Sequence, residues 1–173
     1  HTVYKFDELN EQAKQKAIEV QKQNEWEHGL DFLSDDMEYI LGELLKKYKL
    51  KCNDAKTYYS LSYNQGDGAM FTGDVSYKGY TFTVEHHGHY YHYNSKQITD
   101  IKRNNGNNIS SKTYQKIFDE FNELYVQISK ELERAGYDYI ENITSEKYIS
   151  ETLRDNEYEF YKDGTMLQRK ELS

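Results

Sequence analysis

The sequence has no proline and only one cysteine in 173 residues. Without a proline- or serine-rich stretch nothing reads as a linker, and the length fits one domain, residues 1–173. The lone thiol, Cys52, excludes an intrachain disulfide and suits a reducing cytoplasm. No apolar run approaches the roughly 20 residues that a membrane-crossing helix needs, and no signal-peptide pattern opens the chain. No membrane partner is therefore expected. Basic charge is also short: 22 Lys and Arg against 30 Asp and Glu leave a net charge of -8. Phosphate neutralisation supplies most nucleic-acid affinity, so unaided binding to free DNA or RNA is disfavoured. An acidic surface suits a basic partner, such as a protein built to hold nucleic acid, although solubility alone also accounts for it.

Apolar residues make up only 36% of the chain, but it has 18 tyrosines. Tyrosine buries a large ring and keeps a polar tip, so a tyrosine-rich core is expected. Leu9, Ala13, Ala17 and Val20 recur at helical spacing behind Asn10, a suitable N-cap. A polar connector is expected over residues 24–33. A second helix should start near Ser34, with Asp35 and Asp36 in its first turn and Met37, Ile40, Leu41, Leu44 and Tyr48 on its buried stripe. After Asp54 the period changes to two. Tyr59, Leu61 and Tyr63 share a face, as do Ala69, Phe71, Gly73, Val75 and Tyr77, and then Tyr80, Phe82 and Val84 beyond a Lys78-Gly79 turn. Residues 90–93 read as a further strand, with Ile98 and Ile101 returning along it. A long helix near 111–135 carries a stripe from Tyr114 to Leu132 and should stop at Gly136. A last helix opens at Thr144 or Ser145, and a C-terminal hairpin turns at Asp163-Gly164. This order predicts an α+β fold in which an antiparallel β-meander packs against helices.

Four of the six histidines fall in one stretch, Glu85-His86-His87-Gly88-His89-Tyr90-Tyr91-His92. Imidazole titrates near neutral pH, so a close pair can act as general base and general acid. RNA carries its own nucleophile, the 2′-hydroxyl. Cleavage needs a base for that proton, an acid for the leaving 5′-oxygen and a donor for the phosphate charge. On this reading His89, His92, His87 and His86 are the candidate acid and base. Asp67 or Glu85 would orient an imidazole, and Tyr90 or Tyr91 would stabilise phosphate. The same rings can instead hydrogen-bond tyrosines on a half-exposed strand, or ligate zinc. A zinc site lacks a third ligand from any spaced Cys/His pair, so no cofactor or metal is expected. In a regular strand His87, His89 and Tyr91 face one way and His86, Tyr90 and His92 the other. A shared site for His89 and His92 therefore requires a bulge, or a strand that ends near Gly88 or Asn94. Asn64-Gln65-Gly66-Asp67-Gly68 reads as a tight loop and is not a P-loop, because the GK[ST] ending is missing.

Four pieces, YKFDELNEQAKQKAIE, NQGDGAMFTG, GHYYH and YIENITSEKYISETLRDNEYEFYKDG, together resemble a widespread group of small phage and prophage accessory proteins. Asn64 stands where that group is expected to carry serine. The resemblance spans nearly the whole chain and implies phage origin and residence in the host cytoplasm. Phage proteins of this size often counter host defence, and the chain is similar in size and acidity to some type II anti-CRISPR proteins. By that analogy its partners would be a basic Cas9-type effector and its guide RNA. The activity implied is either cleavage of that RNA or occlusion of the channel that holds it. A protein-interaction module unrelated to nucleic acid is the remaining alternative.

Overall fold

A computed structural model describes residues 2–167. Its elements are β1 (Tyr4–Lys5), α1 (Glu11–His28), α2 (Leu33–Lys47), β2 (Lys51–Ser60), β3 (Gly68–Tyr77), β4 (Tyr80–His86), β5 (Lys96–Arg103), α3 (Ser111–Ile143), α4 (Glu146–Asp155) and β6 (Glu159–Phe160). The fold is α+β, as the sequence predicts. The chain divides into two compact units. One contains the residues up to Phe32 and those from Tyr139 onward, and the other is Leu33–Asp138.

The unit Leu33–Asp138 is built on an antiparallel sheet of order β2-β3-β4-β5. The expected alternation holds where the sheet meets α3: Phe71, Val75, Phe82 and Val84 are buried, together with Phe121, Tyr125, Ile128 and Leu132. The Phe82 and Phe121 rings stack with centroids 3.9 Å apart. The β3–β4 register begins at Gly73, so Phe71 has no partner on β4. The buried Tyr125 hydroxyl replaces that partner, donating to the Phe71 carbonyl at 2.6 Å and accepting from its N–H at 2.9 Å. Burial pushes this phenol well above its ordinary pKa. Among the described residues Tyr125 is the one tyrosine in the buried core, which is mainly Leu, Ile, Phe, Val, Ala and Met rather than tyrosine-rich as expected, and it supplies backbone hydrogen bonds as well as apolar area.

Three expectations are corrected in this unit and its long helix. The helix does not stop at Gly136 but runs on to Ile143. A Cβ at Gly136 would lie 2.5 Å from Leu61 Cδ1 and 3.0 Å from Met37 Sδ, so the glycine permits close packing rather than a helix stop. β2 ends at Ser60, and Tyr63 has a left-handed φ of 59° with its ring against Tyr137. Residues 90–93 form no strand: the fourth strand is β5, which carries Ile98 and Ile101, and a 3-10 turn at Tyr93–Ser95 leads into it.

In the other unit Asn10 caps α1 as expected, accepting from the Ala13 N–H at 2.8 Å. The helix continues through the predicted connector to His28, and a 3-10 turn, Gly29–Phe32, follows. Ile18 rather than Val20 completes the buried face. Phe6, Leu9, Ala13, Ala17, Ile149, Leu153 and Phe160 share its core. Arg154 clamps Asp7 with two bonds of 2.7 and 2.9 Å. Ser145 caps α4. The C-terminal hairpin is present, with Phe160 bridged to Met166, and β6 also pairs with β1, a pairing not foreseen from the sequence. Among the described residues no helix is long and apolar enough to cross a membrane.

Candidate functional site

The histidine stretch leaves the sheet at His86, where β4 ends. Two residues later Gly88 takes φ +88°, a conformation that L side chains rarely adopt, and the chain turns out of strand geometry. The His87 N–H then bonds the Ser95 carbonyl at 2.7 Å, and the Ser95 N–H returns to the His92 carbonyl at 2.8 Å. Strand parity therefore no longer governs these side chains. His87, His89 and His92 line one pocket of about 540 Å³ together with Gln65, Asp67 and Tyr90. His87 and His89 are exposed, and among the described residues neither ring has a hydrogen-bond partner. Tyr90 is 64% exposed.

The opposite wall is the loop between β2 and β3. This wall lies close to the histidine segment because two of its positions, Gly66 in the loop and Gly68 at the start of β3, have no side chain. A Cβ at Gly68 would lie 2.8 Å from the Tyr91 carbonyl oxygen and 3.0 Å from His92 Cα, and one at Gly66 would lie 3.0 Å from the Tyr90 ring. The NQGDG and GHYYH blocks, separate in sequence, thus form the two sides of one site. Gly68→Ala is expected to force them apart, because two of the three closest atoms, the Tyr91 carbonyl oxygen and His92 Cα, belong to backbone, and the third is His92 Cδ2 at 2.8 Å. Overpacking of this kind costs about 1–3 kcal/mol. Shifted His89 and His92 ring resonances, with far-UV circular dichroism unchanged, would report that local opening. Unmoved resonances would contradict the close packing.

Asp67 is the organiser of the loop. Its carboxylate accepts from the Ser62 N–H at 3.0 Å, the Asn64 N–H at 3.2 Å and the Ser62 hydroxyl at 3.0 Å, and also from the Tyr137 hydroxyl. Burial pushes this carboxyl up, but the Ser62 and Asn64 hydrogen bonds outweigh it and hold the pKa below the ordinary value. A lowered native pKa adds stability that is fully present above the unfolded value, near 4, and is lost as pH falls through the native one. Hydrogen-exchange protection of the Ser62 and Asn64 amides should accordingly be full at pH 6 and decline on acidification below about pH 4. In Asp67→Asn that decline should be absent. The partners described for Asp67 include no imidazole, so its place in the pocket wall is structural. Tyr137 was not foreseen in this role, and nothing near residue 137 in the sequence signals it.

The remaining candidates lie elsewhere. His86 stacks on Tyr58 at 5.4 Å, and Tyr91 lies 5.2 Å from His86 and 5.5 Å from Tyr58. A carbonyl oxygen only accepts, so His86 Nε2, 2.9 Å from the Tyr90 carbonyl, carries its proton and pins the loop. Glu85 lines a separate cleft with Asp54, Asp74 and His86. The structure therefore groups His87, His89, His92, Tyr90 and Asp67, and sets Glu85, His86 and Tyr91 apart. His92 Nδ1 accepts from the Asn94 N–H at 3.1 Å, so the neutral ring carries its proton on Nε2 and acts as a donor. Among the described residues no group of three or more His, Cys, Asp or Glu side chains is arranged to hold a metal ion.

No family model matches the chain, and neither curated proteins nor solved structures gave a match.

Proposed function

We propose that the histidine pocket cleaves RNA by metal-independent acid–base catalysis, and that its substrate in the host cytoplasm is the guide RNA held by a basic Cas9-type effector. The observation that carries this reading is the convergence of His87, His89 and His92 on one accessible pocket. His89 takes the proton of the 2′-hydroxyl. The 2′-oxygen attacks phosphorus, and the bond to the 5′-oxygen breaks. His87 gives that oxygen a proton, leaving a 2′,3′-cyclic phosphate and a 5′-hydroxyl. His92 Nε2–H and the Tyr90 hydroxyl donate to the phosphate oxygens as charge builds on them. The net charge of -8 argues against capture of free RNA at physiological salt. A basic effector that already holds the RNA removes that obstacle, because the acidic surface then docks on protein. The effector identity rests on the analogy, in size and acidity, to some type II anti-CRISPR proteins.

The test is a denaturing gel of effector-held RNA after incubation with the protein, with and without EDTA. New fragments that persist in EDTA and vanish in His89→Ala are the expected result. Intact RNA beside a blocked effector would indicate occlusion of the nucleic-acid channel. Intact RNA beside an unaffected effector would remove both activities.

A further inference from the structure

From residue 86 to residue 118 Asp100 is the single carboxylate, in a chain with 30 Asp and Glu. The same span carries Lys96, Lys102, Arg103, Lys112 and Lys116. It starts at the histidine pocket and follows β5 away from it. At the far end of that strand is a second pocket of about 380 Å³, lined by Lys102, Arg103, Asn107, Asn108 and Tyr114 among others. Tyr114 is 41% exposed, and its ring lies parallel to Phe118 with centroids 6.5 Å apart. Asn107 and Asn108 make no side-chain hydrogen bond among the described residues, so their amides are available to a ligand. Arg103 donates to the Tyr80 hydroxyl at 3.0 Å, which holds the guanidinium in place, and Lys102 meets Asp100 at 3.5 Å in an exposed pair of little strength.

We infer that this pocket is a second subsite for the same single-stranded RNA. Lys102 and Arg103 contact its phosphates, Tyr114 stacks a base, and the two amides meet base edges. The RNA identity rests on the acid–base reading of the histidine pocket. Cations, an aromatic ring and free amides without a carboxylate in the lining are the combination that a flexible nucleic-acid strand needs. Geometry joins the two sites. From Lys96 to Arg103 the strand covers about 23 Å at about 3.3 Å per residue. A stacked strand places a phosphate about every 3.4 Å, so about seven nucleotides cover that span, and fewer when extended. A dinucleotide cannot bridge the two pockets.

The experiment measures binding of a mixed-sequence 12-nucleotide RNA by fluorescence anisotropy from low salt upward, in a His89→Ala background that keeps the RNA intact. Replacing Lys102 and Arg103 by glutamine should weaken binding and flatten the slope of log affinity against log salt by about 1.4, at about 0.7 for each phosphate no longer neutralised. Lys102→Gln alone, which leaves the Arg103–Tyr80 bond in place, should remove about half of that. Tyr114→Ala should weaken binding about tenfold with the slope unchanged. With His89 restored, the double variant should raise KM for the 12-mer and leave KM for a dinucleotide unchanged. An unchanged affinity and salt slope in the double variant would overturn this inference, as would a wild-type chain that binds no RNA at low salt. Cleavage with equal KM in wild type and variant overturns the subsite and leaves the histidine reading standing. Binding with the expected slopes but no cleavage does the reverse.

Discussion

Phe121→Ala is expected to cost about 3–5 kcal/mol of unfolding free energy, the range for removing a fully buried aromatic ring. Phe121 has no exposed surface. Its ring stacks on Phe82 at 3.9 Å and tilts against Tyr77 at 6.3 Å and Tyr125 at 6.2 Å. The residue joins α3 to two strands of the sheet, and the three neighbouring rings limit how far the cavity can collapse. With a urea slope of about 2 kcal/mol per M, a loss of about 4 kcal/mol moves the midpoint down by about 2 M. Urea unfolding followed by circular dichroism reads this directly. A midpoint within a few tenths of a molar of wild type would mean that the sheet does not depend on this ring.

His89→Ala and His87→Ala should each lower the RNA cleavage rate by about 10²–10⁴, the usual contribution of a general acid or base. If base and acid act in one step, as proposed, the double variant should lose little more than the worse single one. Two residues falling independently, with multiplied losses, would argue against a shared step. His28→Ala supplies the control, since it lies in the other unit and lines a different pocket. A control that loses as much as His89→Ala would point to a contaminating nuclease. His86→Ala tests a different point. Its ring lies outside the pocket lined by His87, His89 and His92 but holds the Tyr90 carbonyl. Loss of rate there should be accompanied by altered exchange in the loop, which loss of the base itself would not require.

Much of this architecture is local information. The change of period after Asp54 marks β3, β4 and the later half of β2, which itself begins at Lys51. The i, i+3, i+4 stripe from Tyr114 to Leu132 produces α3, and Asn10 and Ser145 place helix starts because a side-chain oxygen meets an N–H three residues on. These features need only a residue and its near neighbours, so the sequence alone determines them. It also determines the chemistry on offer: imidazoles in one stretch and glycines in another.

Tertiary structure decided how those pieces are used. Gly136 reads as a helix stop until Leu61 and Met37 are seen against it. Gly68 reads as part of a turn until the Tyr91 carbonyl is found 2.8 Å from where a side chain would start. Asp67 reads as a partner for histidine, yet Tyr137 claims it across 70 positions of sequence. His86 and His87 are neighbours in the chain but line different pockets, because the strand ends between them. Periodicity and capping act over a few residues and leave a mark in the sequence. Convergence on a pocket depends on the steric fit of atoms far apart in the chain, and that exists only once the sheet, the loops and α3 are assembled.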